Sequence, residues 1–250
     1  MLGMTSVTFR TLSADEILRL CAQSGLQGVE WGGDIHVPAG RADIAANVAA
    51  ATRAHGLKVL SYGSYHRLCA DMDFAPVLDT ACALGVDKIR IWAGDKGSQQ
   101  ADAAHRERAA QELRRICGLA RGRGVDICLE YHRNTLTDTC ESAQALLRQA
   151  GCDNLFTYWQ PNPDLPHEQR LHEIRCLLPH IRSVHVFQWS AGNVRQPLSA
   201  GEGEWAAYLQ ALGTAPRDCI LEFVKDDSPE QFLADAKTLV QWTSDANARS

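Results

Sequence analysis

Short runs of apolar and β-branched residues alternate, from one end of the chain to the other, with segments whose apolar residues recur every three or four positions. The runs predict strands at Thr5–Phe9, Gly28–Trp31, Lys58–Tyr62, Lys88–Trp92, Asp126–Tyr131, Leu155–Trp159, Ser183–Phe187 and Cys219–Phe223. The segments between them predict helices that bury one face. The first helix is signed at its start by Ser13-Ala14-Asp15-Glu16, a capping box, with Leu18, Leu20 and Cys21 on the buried side. Gly25 closes it, and glycines at 56, 85, 151 and 213 close later helices shortly before a strand.

Eight strands each followed by a helix fit eight consecutive βα units, and hence a single (β/α)8 barrel (TIM barrel) over residues 1–250. An open doubly wound sheet would share the alternation, but its first turn usually carries a glycine-rich phosphate cradle. Here that turn is Phe9-Arg10-Thr11-Leu12-Ser13, without glycine. No linker or second domain is visible, and only the tail after Trp242 reads as polar and frayed.

Composition narrows the class. The chain has 250 residues, 45% hydrophobic and 22% charged, with a formal charge of −5, so no electrostatic footprint for nucleic acid is present. No apolar run reaches the ~18 residues that span a bilayer. The start, Met1 to Val7, lacks the basic-then-apolar pattern of a signal peptide. Nine cysteines are scattered without a C-x-x-C pair, several of them (Cys21, Cys82, Cys117) inside apolar helical patterns. Reduced buried thiols in a cytoplasmic protein are expected. Oligomeric state is not encoded legibly; a homo-oligomer is compatible with the chain.

Barrel active sites are built at the carboxyl ends of the strands. Those ends are polar beyond what a core needs: Glu30-Trp31-Gly32-Gly33-Asp34-Ile35-His36, then Ser61 to His66, Arg90-Ile91-Trp92, Glu130-Tyr131-His132, Gln160-Pro161-Asn162, His185 and Glu222. Because side chains alternate along a strand, Glu130, His185 and Glu222 can all point to the barrel axis. Carboxylates buried there are costly to keep ionised unless a cation compensates them. Two carboxylates, an imidazole and an amide or carboxylate oxygen make a site for one divalent metal ion: manganese, magnesium, cobalt or zinc. The competing reading is a carboxylate paired with a neighbouring base and a hydrogen-bonded core histidine. Trp31, Trp92 and Trp159 are either core or a wall for a sugar ring.

The chain resembles the xylose isomerase-like barrel superfamily, in particular its sugar phosphate isomerase/epimerase group, over nearly its whole length. The resemblance rests on Gly28 to Asp34 with His36, on Ile89 to Gly94, on Leu129 to Thr137, and on His185 followed by Pro197-Leu198, Gly201 to Trp205 and Leu221-Glu222. It implies metal ligands at Glu130, Gln160, His185 and Glu222, with Glu130 and Glu222 as a paired acid and base. The sixth-strand ligand in such barrels is usually Asp; here Gln160 stands in its place, a neutral donor that lowers the charge of the site, with Asn162 and Asp164 as alternates.

The activity so implied is isomerisation or epimerisation of a small-molecule sugar or keto-sugar through an enediolate, with the metal as Lewis acid. His36, His66, Arg90, Trp92, His132 and Lys225 are the candidate substrate contacts. Arg90 and Lys225 are the cations available for a phosphate, but no glycine-rich cradle accompanies them, so an unphosphorylated substrate is favoured. The same proton abstraction serves a lyase that dehydrates a keto-sugar or keto-inositol. A barrel that binds sugar without catalysis is a third reading, and an endonuclease IV-like repair enzyme the least favoured, given the net acidity.

Overall fold

A parallel strand covered by a helix on one side and by its barrel partners on the other buries both faces, and the strands here are correspondingly apolar and inaccessible. The computed structural model describes residues 1–248. Its barrel strands are β1 (Leu2–Thr5), β2 (Gly28–Gly32), β3 (Lys58–Arg67), β4 (Lys88–Trp92), β5 (Asp126–Glu130), β6 (Leu155–Trp159), β7 (Ile181–Val186) and β10 (Asp218–Leu221). They close in the order β1-β10-β7-β6-β5-β4-β3-β2, all pairs parallel. The layer outside comprises α1 (Ala14–Ser24), α2 (Ala42–Ala54), α3 (Ala75–Leu84), α4 (Ala103–Arg121), α5 (Cys140–Ala150), α6 (His167–Leu177), α7 (Glu202–Leu212) and α8 (Pro229–Ala248). The expected (β/α)8 barrel is the fold. Between β7 and α7 a two-stranded antiparallel hairpin, β8 (Gln188–Ser190) with β9 (Val194–Gln196), rises over the mouth.

Local signals hold where they were strongest. Ser13 and Glu16 form the reciprocal capping box of α1. Gly25, Gly85 and Gly151 end their helices in the left-handed conformation. The first strand is displaced: it runs over Leu2–Thr5, and Ser6–Phe9 is a 3-10 turn. Register sets that boundary, since Gly3 pairs with Gly28 and Thr5 with Glu30. The Ser6 hydroxyl then accepts from the Gly32 amide at 2.8 Å, replacing the ladder. β3 runs five residues beyond its expected end, to Arg67. The tail after Trp242, expected to fray, continues α8 to Ala248; Arg249 and Ser250 lie outside the described residues.

Alternation along the strands stacks the barrel interior in layers. Low in the barrel, Lys88 Nζ meets Asp218 at 3.0 Å. Above it Leu60, Cys128, Tyr158 and Ile220 form an apolar plug separate from the main core. The next inward positions, two residues on, are Glu130 after Cys128, Gln160 after Tyr158 and Glu222 after Ile220. Beside them lie Glu30, Arg90 and His185, all buried. Trp31 and Trp159 point the other way, into the fully buried layer between barrel and helices. Trp31 donates there to Thr52 Oγ1 at 3.2 Å, and Trp159 packs edge-on against Trp205 and Tyr208. Neither is a wall of the site.

Candidate active site

A cavity of about 280 Å³ opens at the carboxyl end of the barrel; its floor is Arg90, Glu130, Gln160 and Glu222. That volume suits one small ring rather than an oligosaccharide. Trp92, Phe187, Trp189 and Phe223 give it aromatic walls, and His132, Arg133 and Asn162 form part of its rim. Phe223 is held at φ 50, a conformation costly for a bulky residue. Its amide donates to Thr8 Oγ1 at 3.2 Å, and the turn sends Glu222 inward and the ring of Phe223 across the mouth.

Glu130, His185 and Glu222 converge at this floor, each offering an atom within 4.8 Å of the others. His185 organises the group. Its Nδ1 faces Gln160 Oε1 at 3.1 Å, Glu222 Oε2 at 3.4 Å and Glu130 Oε1 at 4.0 Å. Its Nε2 faces Glu30 Oε1 at 3.3 Å. Both ring nitrogens therefore face oxygens that accept, and a neutral imidazole has only one N–H to give. A proton on Nε2 satisfies Glu30 and leaves the Nδ1 lone pair directed at three oxygen donors. Their separations are those of ligands sharing one ion at about 2.0–2.2 Å. Gln160 Oε1 stands beside the same group, 3.1 Å from His185 Nδ1, whereas Asp164 is drawn off into an ion pair with Arg133 at 3.2 Å.

Charge counting leads to the same place. Glu30, Glu130 and Glu222 are buried with a single guanidinium, Arg90, which bonds Glu130 through Nη1 and Glu30 through Nε, the latter at 3.2 Å. Burial pushes Glu30 up, but Arg90, His185 and the Ser61 hydroxyl reverse this and hold it far below the usual carboxylate range. Burial would lower Arg90, yet Glu130 and Glu30 keep it fully protonated. Glu222 rises on balance: burial raises it, His185 and Arg90 pull it back only in part, and Glu130 and Glu30 add to the rise. For His185 burial lowers affinity for a proton, and Glu222 and Glu30 outweigh it. Three carboxylates thus share one guanidinium and one imidazole in a dry site, and a divalent cation among Glu130, Gln160, His185 and Glu222 fits this donor set.

Among the expected substrate contacts, Arg90, Trp92 and His132 line the cavity. His132 tilts against Trp92 at 4.6 Å between ring centroids, and Arg67 covers the indole at 4.4 Å. The structure places His36, His66 and Lys225 outside the lining. His36 Nε2 bonds the Leu12 carbonyl at 2.9 Å, and His66 Nε2 bonds Glu112 on α4 at 3.2 Å. Lys225 sits on the exposed shoulder near Asp226, at 3.9 Å. Sequence reasoning passed over Glu30 as a site residue. Its signal was there: Glu30 is the one charged residue in the strand Gly28–Gly32. The hairpin residue Trp189 carried no signal in the sequence, and nothing there joined Arg10 to Asp34 and Tyr65, which it bonds at the mouth.

The profile of the xylose isomerase-like TIM barrel family matches residues 18–242, and the chain belongs to that family. A curated relative, the 3-dehydroshikimate dehydratase of Bacillus anthracis, is 25% identical over 164 residues, 61% of this chain and 59% of the relative's length. The solved structure of the probable 3-DHS dehydratase of petrobactin synthesis from Bacillus anthracis superposes with a TM-score of 0.81 at 20% identity, over 96% of this chain and 98% of that one. The D-psicose 3-epimerase of Clostridium cellulolyticum H10 superposes at 0.72 with 14% identity, over 98% of each chain. No helix among the described residues is long and apolar enough to cross a membrane.

Proposed function

We propose that this protein is a divalent-metal-dependent dehydratase, a lyase that removes a proton beside the carbonyl of a small polyhydroxylated keto compound and expels water from it. The observation that carries the reading is His132. Its Nδ1 lies 2.7 Å from the Arg133 carbonyl, which can only accept, so the ring proton sits on Nδ1. In the neutral ring Nε2 then carries the lone pair at the rim, and it has no hydrogen-bond partner among the described residues. The curated dehydratase relative supports the same outcome.

Manganese, magnesium, cobalt or zinc held by Glu130, Gln160, His185 and Glu222 would supply Lewis-acid polarisation of the substrate carbonyl. The chain's own groups do the rest. His132 Nε2 takes the proton from the carbon next to the carbonyl, and the C–H electron pair moves into the carbonyl system. As that pair returns to form the C=C bond, the neighbouring C–O bond breaks, and His132 hands its proton to the departing hydroxide. One water leaves and the enzyme is unchanged. Glu30 and Arg90 hold His185 and Glu130 in place, and the aromatic walls exclude bulk water.

A second reading, isomerisation or epimerisation with Glu130 and Glu222 as acid and base, is favoured by the facing of these carboxylates across the cavity floor and by the shared fold of a sugar epimerase. Arg90 weighs against it, because it already occupies one oxygen of Glu130 in a buried ion pair. Nine unbridged cysteines suit a reducing, cytoplasmic setting for either activity. The deciding experiment incubates the metal-loaded protein with cyclic keto-acids, 3-dehydroshikimate first, and with keto-sugars, and follows product mass. Loss of one water from a keto-acid supports the dehydratase. Turnover of a keto-sugar at constant mass overturns it in favour of the epimerase, and no metal bound even in excess cation overturns both.

A further inference from the structure

The outer layer carries a second cluster of metal-binding side chains that the barrel reaction does not use. Cys140 is the first residue of α5, and His172 and Cys176 lie four residues apart on one face of α6. One ligand atom from each comes within 4.8 Å of the other two. Glu141, next along α5, closes the group: its Oε1 accepts from Cys140 Sγ at 3.3 Å and stands 3.7 Å from His172 Nε2. The two helices are fixed to each other here, since Gln144 on α5 donates to the Cys176 carbonyl at 2.7 Å.

We propose that Cys140, His172 and Cys176, with Glu141 as fourth donor, bind a zinc ion that staples α5 to α6. Two thiolates, an imidazole and a carboxylate form the soft, four-donor set that zinc takes in tetrahedral geometry. The barrel centre offers only oxygen and one nitrogen, so the two sites sort different metals. Cys140 is buried, whereas His172 and Glu141 are exposed, which gives an ion a route in from solvent and a seat partly out of water. Burial pushes the Cys140 thiol well above its ordinary value. Binding exchanges two S–H protons for two metal–sulfur bonds with no redox change, and the position of Cys140 at the amino end of α5 favours the resulting thiolate.

The test is titration of the reduced, metal-free full-length protein with cobalt(II), followed by displacement with zinc. Thiolate-to-cobalt charge-transfer absorption reports this site alone, because the barrel centre has no sulfur ligand. The expected result is one equivalent of such absorption, abolished in Cys176→Ser and retained in Cys152→Ser. His172→Ala, at an exposed position that does not endanger folding, should weaken binding by roughly the 10–100-fold that even an indirect ligand partner commands, or more. Absence of thiolate absorption in the reduced wild type overturns the site. So does an unchanged spectrum in Cys176→Ser, or a Cys140–Cys176 disulfide that forms in air while the reduced protein takes up no cobalt at sulfur.

Discussion

Glu30 Oε1 stands 3.3 Å from Nε2 of His185, on the edge of the ring opposite Gln160, Glu222 and Glu130. A carboxylate placed there fixes the proton on Nε2 and raises the basicity of Nδ1, the nitrogen turned to the other donors. It also forms one arm of the Arg90 clamp. One residue on β2 therefore orients side chains that arrive from β5 and β7.

Glu30→Gln keeps the shape of that side chain and removes its charge. Metal affinity, read by competition with a chelator, is expected to fall about 10–100-fold. Arg90 loses one of its two buried partners, so the thermal midpoint should fall as well. Undiminished affinity would mean that Glu30 is a structural partner of Arg90 and nothing more.

His132→Asn tests the base. Removing a positioned general base typically costs about 10²–10⁴ in turnover, and the metal ligands are untouched. The prediction is a kcat lowered by that order with metal content unchanged and KM little altered. If turnover survives while Glu222→Gln abolishes it without loss of metal, the carboxylate pair carries the proton instead.

The difference between Glu130 and Glu30 shows how far the sequence could be read. Glu130, His185 and Glu222 were legible because each interrupts an apolar strand at its carboxyl end, where period-two alternation assigns a face. Glu30 interrupts a strand in the same way, but its partners are Arg90, 60 residues away, and His185, 155 residues away. Only barrel closure and its stagger bring these together. His36 and His66 lie outside the cavity lining for the converse reason. Their positions resemble site positions, yet His36, in the loop after β2, turns to the Leu12 carbonyl, and His66, inside the extended end of β3, turns to Glu112. The hairpin carrying Trp189 was hidden because strands of three residues leave no periodicity to read.

Gly63 is where the Arg90 clamp depends on an absent side chain. A Cβ there would lie 2.8 Å from Arg90 Nη2 and 3.0 Å from Glu30 Oε1. Gly63→Ala should push the guanidinium off both carboxylates at a cost of about 1–3 kcal/mol, the usual range for an added methyl in a packed interior. Differential scanning calorimetry should show a lowered midpoint, and turnover should drop with it. A variant as stable and active as wild type would show that the clamp can shift without consequence.

Glu173, on α6, is 2% exposed and faces Tyr131 and Trp159 beneath the fifth and sixth loops. Burial pushes its carboxyl up from 4.5 to about 7, against the pull of the Tyr131 hydroxyl and the Trp159 indole. A raised native value means that the folded state holds a proton the unfolded state has released, so stability falls as pH rises from 4.5 to 7. The contribution is fully present below pH 4.5 and lost above pH 7, and the shift corresponds to about 3 kcal/mol. Glu173→Gln keeps a neutral amide in the same place and should remove this slope. Urea unfolding of both proteins at pH 5 and pH 8 measures it: the variant should gain on wild type by up to about 3 kcal/mol at the higher pH. Parallel pH profiles for the two proteins would mean that Glu173 titrates alike in the folded and unfolded chain.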